Sequence, residues 1–236
     1  MTNNEKNTSI EYILTQGFVT PPTFWERVTK MHRVLGWRFI FWDLSYSIIF
    51  VFVIQSALMF LFRNVSLEYM QYSVAVGFAP MLFILITLLA EISERACGLY
   101  ELKQTCRYTS RQITALRCIY YSLAGVGFAV FVSAFASDST AHFVRILPLC
   151  LGVLFLSATL ELSIMRQWQG KWCIAVFSGI WLVVNCMLPI ALGARWEVFL
   201  SSLPLVITII FMAAGGLVFM YQINKMLMEE QNYAIA

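Results

Sequence analysis

Few side chains in this 236-residue chain are of a type and spacing that could do covalent chemistry. The two histidines, His32 and His142, stand far apart, and no HExxH pairs two of them on one helical face for zinc. There is no GxSxG to raise a nucleophilic serine, and no GxxxxGK[ST] loop to cradle nucleotide phosphates. Glu91-x2-Glu94-Arg95 brings two carboxylates together without histidine partners. The six cysteines at 97, 106, 118, 150, 173 and 186 show no CxxC spacing and lie in or beside apolar runs. They read as small core hydrophobes rather than as a metal or redox framework. The expectation is a chain that is not an enzyme, with no catalytic residue, no metal and no cofactor of its own.

Polar groups inside apolar runs are the remaining candidates, because ionisable residues in a membrane are costly and usually functional. Glu161 is the clearest, and its place a few residues before Arg166 predicts a local ion pair or a side chain reaching for the interface. Asp43 and Glu91 read as boundary residues. Gln55 and Asn185 are mid-run, and each predicts an interhelical hydrogen bond. A set this sparse argues against an ion-driven transporter, which needs buried carboxylates to bind its coupling ion.

The elements that position these residues follow from composition. The chain is 60% hydrophobic and 12% charged, where a soluble domain carries about 25% charged residues. That excludes a soluble globular protein, a disordered chain and a nucleic-acid-binding arm. A membrane span takes roughly 20 apolar residues, and six such runs occur: 44–62, 72–90, 119–136, 144–164, 172–192 and 198–222. The first residues lack the basic and apolar regions of a secretory signal. Pro80, Pro148, Pro189 and Pro204 fall in or near the runs and predict kinks, and Gly215-Gly216 predicts close helix packing. The turn between runs five and six is expected at Gly193–Glu197. The fold expected is all-α: a polytopic membrane protein of six transmembrane helices (44–222) with a 91–118 connection, an N-terminal segment 1–43 and a tail 223–236.

Orientation follows from the basic residues. Thirteen of the 16 Lys and Arg lie on the side of the termini and of the 91–118 connection; only Arg63, Arg145 and Arg195 lie opposite. This predicts a multi-pass protein of the plasma membrane with both termini cytoplasmic. Trp37, Trp42, Tyr46, Tyr72, Trp168, Trp172, Trp196 and Tyr221 cluster at run ends, as interfacial anchors do. Residues 23–43 are too charged to span. Thr23 and Glu26 have capping-box spacing after Pro21-Pro22. Trp25, Arg27, Lys30 and Arg33 then give a helix with aromatic and basic faces, expected to lie in the membrane interface as an elbow before the first span.

The longest internal connection holds a second chemistry, that of docking. Thr109 and Gln112 give another capping-box spacing, and Ile113, Leu116 and Tyr120 lead into the third run. Before them, Glu101 to Tyr108 mixes charge with Leu102 and Cys106. Such a protruding segment fits a partner's groove.

The pattern Glu101-x3-Thr105-x3-Thr109-Ser110-Arg111-Gln112-Ile113-x3-Arg117 resembles the cytoplasmic loop of ABC-2-type transporter permeases, and the layout of elbow, six spans and cytoplasmic termini is similar too. It is also similar to the short permeases of Gram-positive bacteria, including the lantibiotic-immunity type. Members often carry Gly before the Thr and Gly-Lys near the loop's end, where this chain has Gln104 and Leu116-Arg117. The resemblance implies that Glu101, Thr105, Tyr108, Thr109, Ser110 and Arg111 form a coupling element docking on a separate ATP-binding subunit. ATP and Mg would then be bound by that partner, and a second permease chain, identical or homologous, would complete the complex. The implied activity is transport, most simply export, of a lipid-like, amphipathic or peptide substrate. The rival reading is a membrane-bound regulator or sensor that tethers a cytoplasmic signalling partner without transport.

Overall fold

The structure, a computed structural model, describes residues 23–41, 44–66, 71–96, 110–137, 139–167 and 173–228. Among these residues there are helices and no strands. In chain order they are α1 (Phe24–Phe41), α2 (Leu44–Ser66), α3 (Gln71–Phe78), α4 (Met81–Ala96), α5 (Ser110–Ala136), α6 (Thr140–Gln167), α7 (Cys173–Leu192), α8 (Ala194–Ser202) and α9 (Leu205–Met228).

Four stretches are long and apolar enough to cross a membrane: Gln71–Ile92, Gln112–Ala136, Thr140–Gln167 and Leu205–Leu227. Shorter apolar stretches, Ile48–Phe60 and Ala175–Asn185, lie in α2 and α7. The protein is therefore an all-helical, membrane-embedded chain with at least these four candidate spans.

The start of α1 follows its local sequence. The Glu26 carboxylate accepts a hydrogen bond from the Thr23 backbone N–H at 2.9 Å, one half of the expected capping box. Along α1, Trp25, Lys30 and Arg33 are exposed, Arg27 is half-buried, and Met31 is buried.

In the bundle, α3 and α4 form one span broken at Ala79-Pro80. Hydrogen bonds from Ala79 N–H to Ala75 O (3.0 Å) and from Ile84 N–H to Pro80 O (3.1 Å) carry the helix across the break. Proline lacks the N–H that would continue it, which explains the local turn. Pro148 sits inside α6 without ending it. Ser139 starts α6, its Oγ accepting from His142 N–H at 3.4 Å.

The core lies between α4, α5 and α6, where Phe83, Ile86, Leu116, Phe128, Leu154 and Leu162 are fully buried. Lipid is as apolar as leucine, so close packing rather than water exclusion must join these helices. Small residues allow it. A Cβ on Gly152 of α6 would collide with the Phe211 ring of α9, and one on Gly215 would come within 3.2 Å of Phe155 Cβ. The expected close approach at Gly215-Gly216 is thus present, and α9 packs along α6 more extensively than any other pair. Two buried hydroxyls are satisfied within their own helices: Ser133 Oγ donates to Ala129 O (2.7 Å) and Ser157 Oγ to Leu154 O (2.8 Å).

Four expectations are corrected. The turn expected at Gly193–Glu197 is the start of a separate helix, α8, and the run expected from Val198 to Gln222 is split between α8 and α9. Gly193 has φ +51°, a left-handed conformation that glycine adopts without steric cost, and it separates α7 from α8. Pro204 forces the residue before it out of the helical region, and Leu203 is extended (φ −62°, ψ 126°), ending α8. Asn185 does not bond across helices but donates to Trp181 O of its own helix at 2.8 Å. Gln55 is buried, yet neither its Oε1 nor its Nε2 has a hydrogen-bond partner.

Candidate functional site

Two polar clusters sit at opposite ends of the apolar bundle. Antiparallel connection brings the C-terminal end of α4, the N-terminal part of α5 and the C-terminal part of α6 to one end. Residues 97–109, between α4 and α5 in the chain, lie outside the described residues.

At this loop end, Glu161 of α6 is 1% exposed, and neither carboxylate oxygen has a hydrogen-bond partner. Its electrostatic neighbours are Thr87 and Glu91 of α4 and Cys118 and Tyr121 of α5. Tyr121 in turn lies beside the Arg117 guanidinium. A cavity of about 30 Å³ opens among them, lined in part by Thr87, Glu91, Thr114, Arg117, Cys118 and Tyr121. That exceeds the roughly 10–15 Å³ that one water needs, and the walls carry the polar partners a water requires. The Thr87 hydroxyl gives its proton to its own helix, with Phe83 O at 3.1 Å and Ile84 O at 2.9 Å.

The reading of Glu161 as a side chain reaching for the interface or pairing with Arg166 is overturned. It lies on the buried stripe of α6 with Leu154, Ala158 and Leu162, while Arg166 is exposed at the helix end. The three-to-four spacing of Cys150, Leu154, Ser157, Ala158 and Glu161 was the available signal, since it places all five on one helical face. With it falls the argument from sparse charge, because a buried carboxylate does occur among the spans.

At the opposite end, Glu197 of α8 reaches the first turn of α3. Its oxygens accept from Tyr72 N–H (2.7 Å), Ser73 N–H (3.0 Å) and Ser73 Oγ (2.5 Å). A helix N-terminus leaves such N–H groups unpaired and favours negative charge, so this carboxylate caps α3 from more than a hundred residues away. Leu200, one turn on, is buried, whereas Val198 and Phe199 face outward. The Tyr72 ring lies against His142 (centroids 6.4 Å apart), and Arg145 stands within electrostatic reach. Tyr72 is buried and is no lipid-facing anchor; Tyr221 is exposed, as an anchor would be.

Of the predicted coupling residues, Glu101, Thr105, Tyr108 and Thr109 lie outside the described residues, while Ser110 and Arg111 open α5. Arg117, the last residue of that pattern, belongs to the loop-end cluster. Ile113 and Leu116 are buried and Tyr120 half-buried, as a helix entering the bundle requires. Cys118 and Cys150 are buried free thiols. Among the described residues, no three His, Cys, Asp or Glu are placed to hold a metal. No protein-family model, no curated protein and no solved structure matches this chain.

Proposed function

We propose that this chain is the membrane-spanning subunit of an ABC transporter of the ABC-2 type, an exporter of a lipid-like, amphipathic or peptide substrate. In this reading α2 and α7 complete six spans and α1 lies in the membrane interface. Both termini are cytoplasmic, and the 97–109 connection faces an ATP-binding subunit. ATP and Mg belong to that partner, and a second permease chain completes the pore.

One observation carries the reading. The two helices that flank the connection, α4 and α5, pack on each other and on α6 around the cluster of Glu91, Arg117, Tyr121 and Glu161. A force applied to the connection would reach the bundle through a polar joint rather than through a loose linker. Polar joints have discrete bonding arrangements and suit a two-state movement better than a uniform apolar contact does. Transport is then a change of access driven by differential binding of ATP at the partner.

Purified in mild detergent from its native membrane, the full chain should bring with it a nucleotide-binding ATPase. A chain that never recruits one, and whose loss leaves ATP-driven export unchanged, would overturn the proposal in favour of a regulator or sensor. Topology is tested separately: Lys103→Cys should label from the cytoplasmic side and Arg195→Cys from the other.

A further inference from the structure

We infer that Glu161 and the adjoining cavity form a proton-binding site, in which Glu161 holds its proton as a neutral carboxylic acid while α4, α5 and α6 are packed as observed. The inference does not depend on an ATP-driven partner.

The argument begins with solvation. An ionised carboxylate deprived of water must be paired or hydrogen-bonded, since burying it bare costs far more than burying the neutral acid. Glu161 is buried, and neither oxygen has a partner. The charged groups facing it do not supply one. From α4 the facing carboxylate is Glu91, of like charge. From α5 come the Cys118 thiol and the Tyr121 hydroxyl, and Arg117 is engaged beside Tyr121. From α9 come Gln222, whose Nε2 donates to Ser163 Oγ at 2.9 Å, and the helix's one charged residue, Lys225, which is exposed. The sequence of α7 holds no Asp, Glu, Lys, Arg or His. Thr87 Oγ1 lies within reach of two carbonyls of its own helix, Phe83 O and Ile84 O, so Glu161 competes with them for the one hydroxyl proton.

The cavity places room for water beside the residues that surround Glu161. Four residues that act on Glu161, namely Thr87, Glu91, Cys118 and Tyr121, line it, and it has room for a water. A proton taken up from solvent hydronium, which leaves as water, forms the acid's O–H bond and cancels the carboxylate's charge. Separation of α4 from α6 would hydrate the group and release the proton back to water. The Arg117 guanidinium on the same wall disfavours a metal cation, and the volume is too small for a hydrated one.

The test is infrared difference spectroscopy of the full chain in lipid nanodiscs, between acidic and alkaline buffer, with and without carbon-13 glutamate. At neutral pH the wild type should show the C=O stretch of a protonated, weakly bonded acid. The band should shift with the label and in D2O. It should vanish in Glu161→Gln and persist in Glu91→Gln. Glu161→Asp should move the band rather than abolish it, which covers the case in which the amide variant fails to fold. No such band in the wild type, or a band that survives in Glu161→Gln, would overturn the proposal. A band that ignores D2O would overturn the uptake of the proton from solvent.

Discussion

The two ends of the bundle each hold a glutamate, and the two are treated in opposite ways. Glu197 makes three hydrogen bonds, to the first turn of α3. Glu161 makes none and is sealed among α4, α5 and α6. The first arrangement has the character of a fastener: it caps a helix, ties α8 to α3, and is best satisfied in one geometry. The second has no preferred bonded geometry and lies beside a cavity, so movement of the surrounding helices changes its environment. A bonded glutamate favours one geometry, and an unbonded one does not. Glu161 lies at the end where α4 stops and α5 begins.

Variants can break this comparison. The largest effect is expected from Glu161→Lys, which would put an ammonium where no carboxylate faces it except Glu91. A buried charge that a single carboxylate offsets still costs up to about 3–5 kcal/mol, so the full chain should lose folded population by thermal melting in detergent, and more of it than Glu161→Gln does. Gly152→Val would drive a branched side chain into Phe211 and should cost about 1–3 kcal/mol, read as weakened α6–α9 packing by cross-linking across that pair. Glu197→Ala removes a cap at about 1–2 kcal/mol, with faster amide exchange confined to the start of α3 and to α8. Ser73→Ala removes one bond of the three and should cost about 1 kcal/mol. If Glu197→Ala proved more damaging than Glu161→Lys, the assignment of fastener and poised group would be reversed.

Much of this arrangement was legible in the sequence. The four candidate spans fall on four of the six apolar runs, because uninterrupted apolarity over a bilayer's width is a strong signal. Thr23 and Glu26 placed the start of α1, because a capping box is a local event. The sixth run misled because Val198, Phe199 and Leu200 are apolar, and hydropathy does not register the extended residue that Pro204 imposes on Leu203. Glu161 misled for a different reason. Arg166 is its neighbour in sequence, but the face on which a side chain lies is settled by the helices packed against it. The capping of α3 by Glu197 joins residues 125 positions apart at Tyr72, and nothing in the local sequence announces it.

If a partner acts at the loop end, as proposed, its force must cross the bundle to reach α8. A single fluorophore on Ser201→Cys, an exposed position of α8 at the opposite end, reports that transmission directly in the complex purified from native membranes. Addition of ATP should shift its emission in the otherwise wild-type chain. Replacing Glu101, Thr105 and Arg111 together by alanine should abolish the shift while membrane insertion is unchanged. An equal shift in both chains, or none in the wild type, would contradict the account.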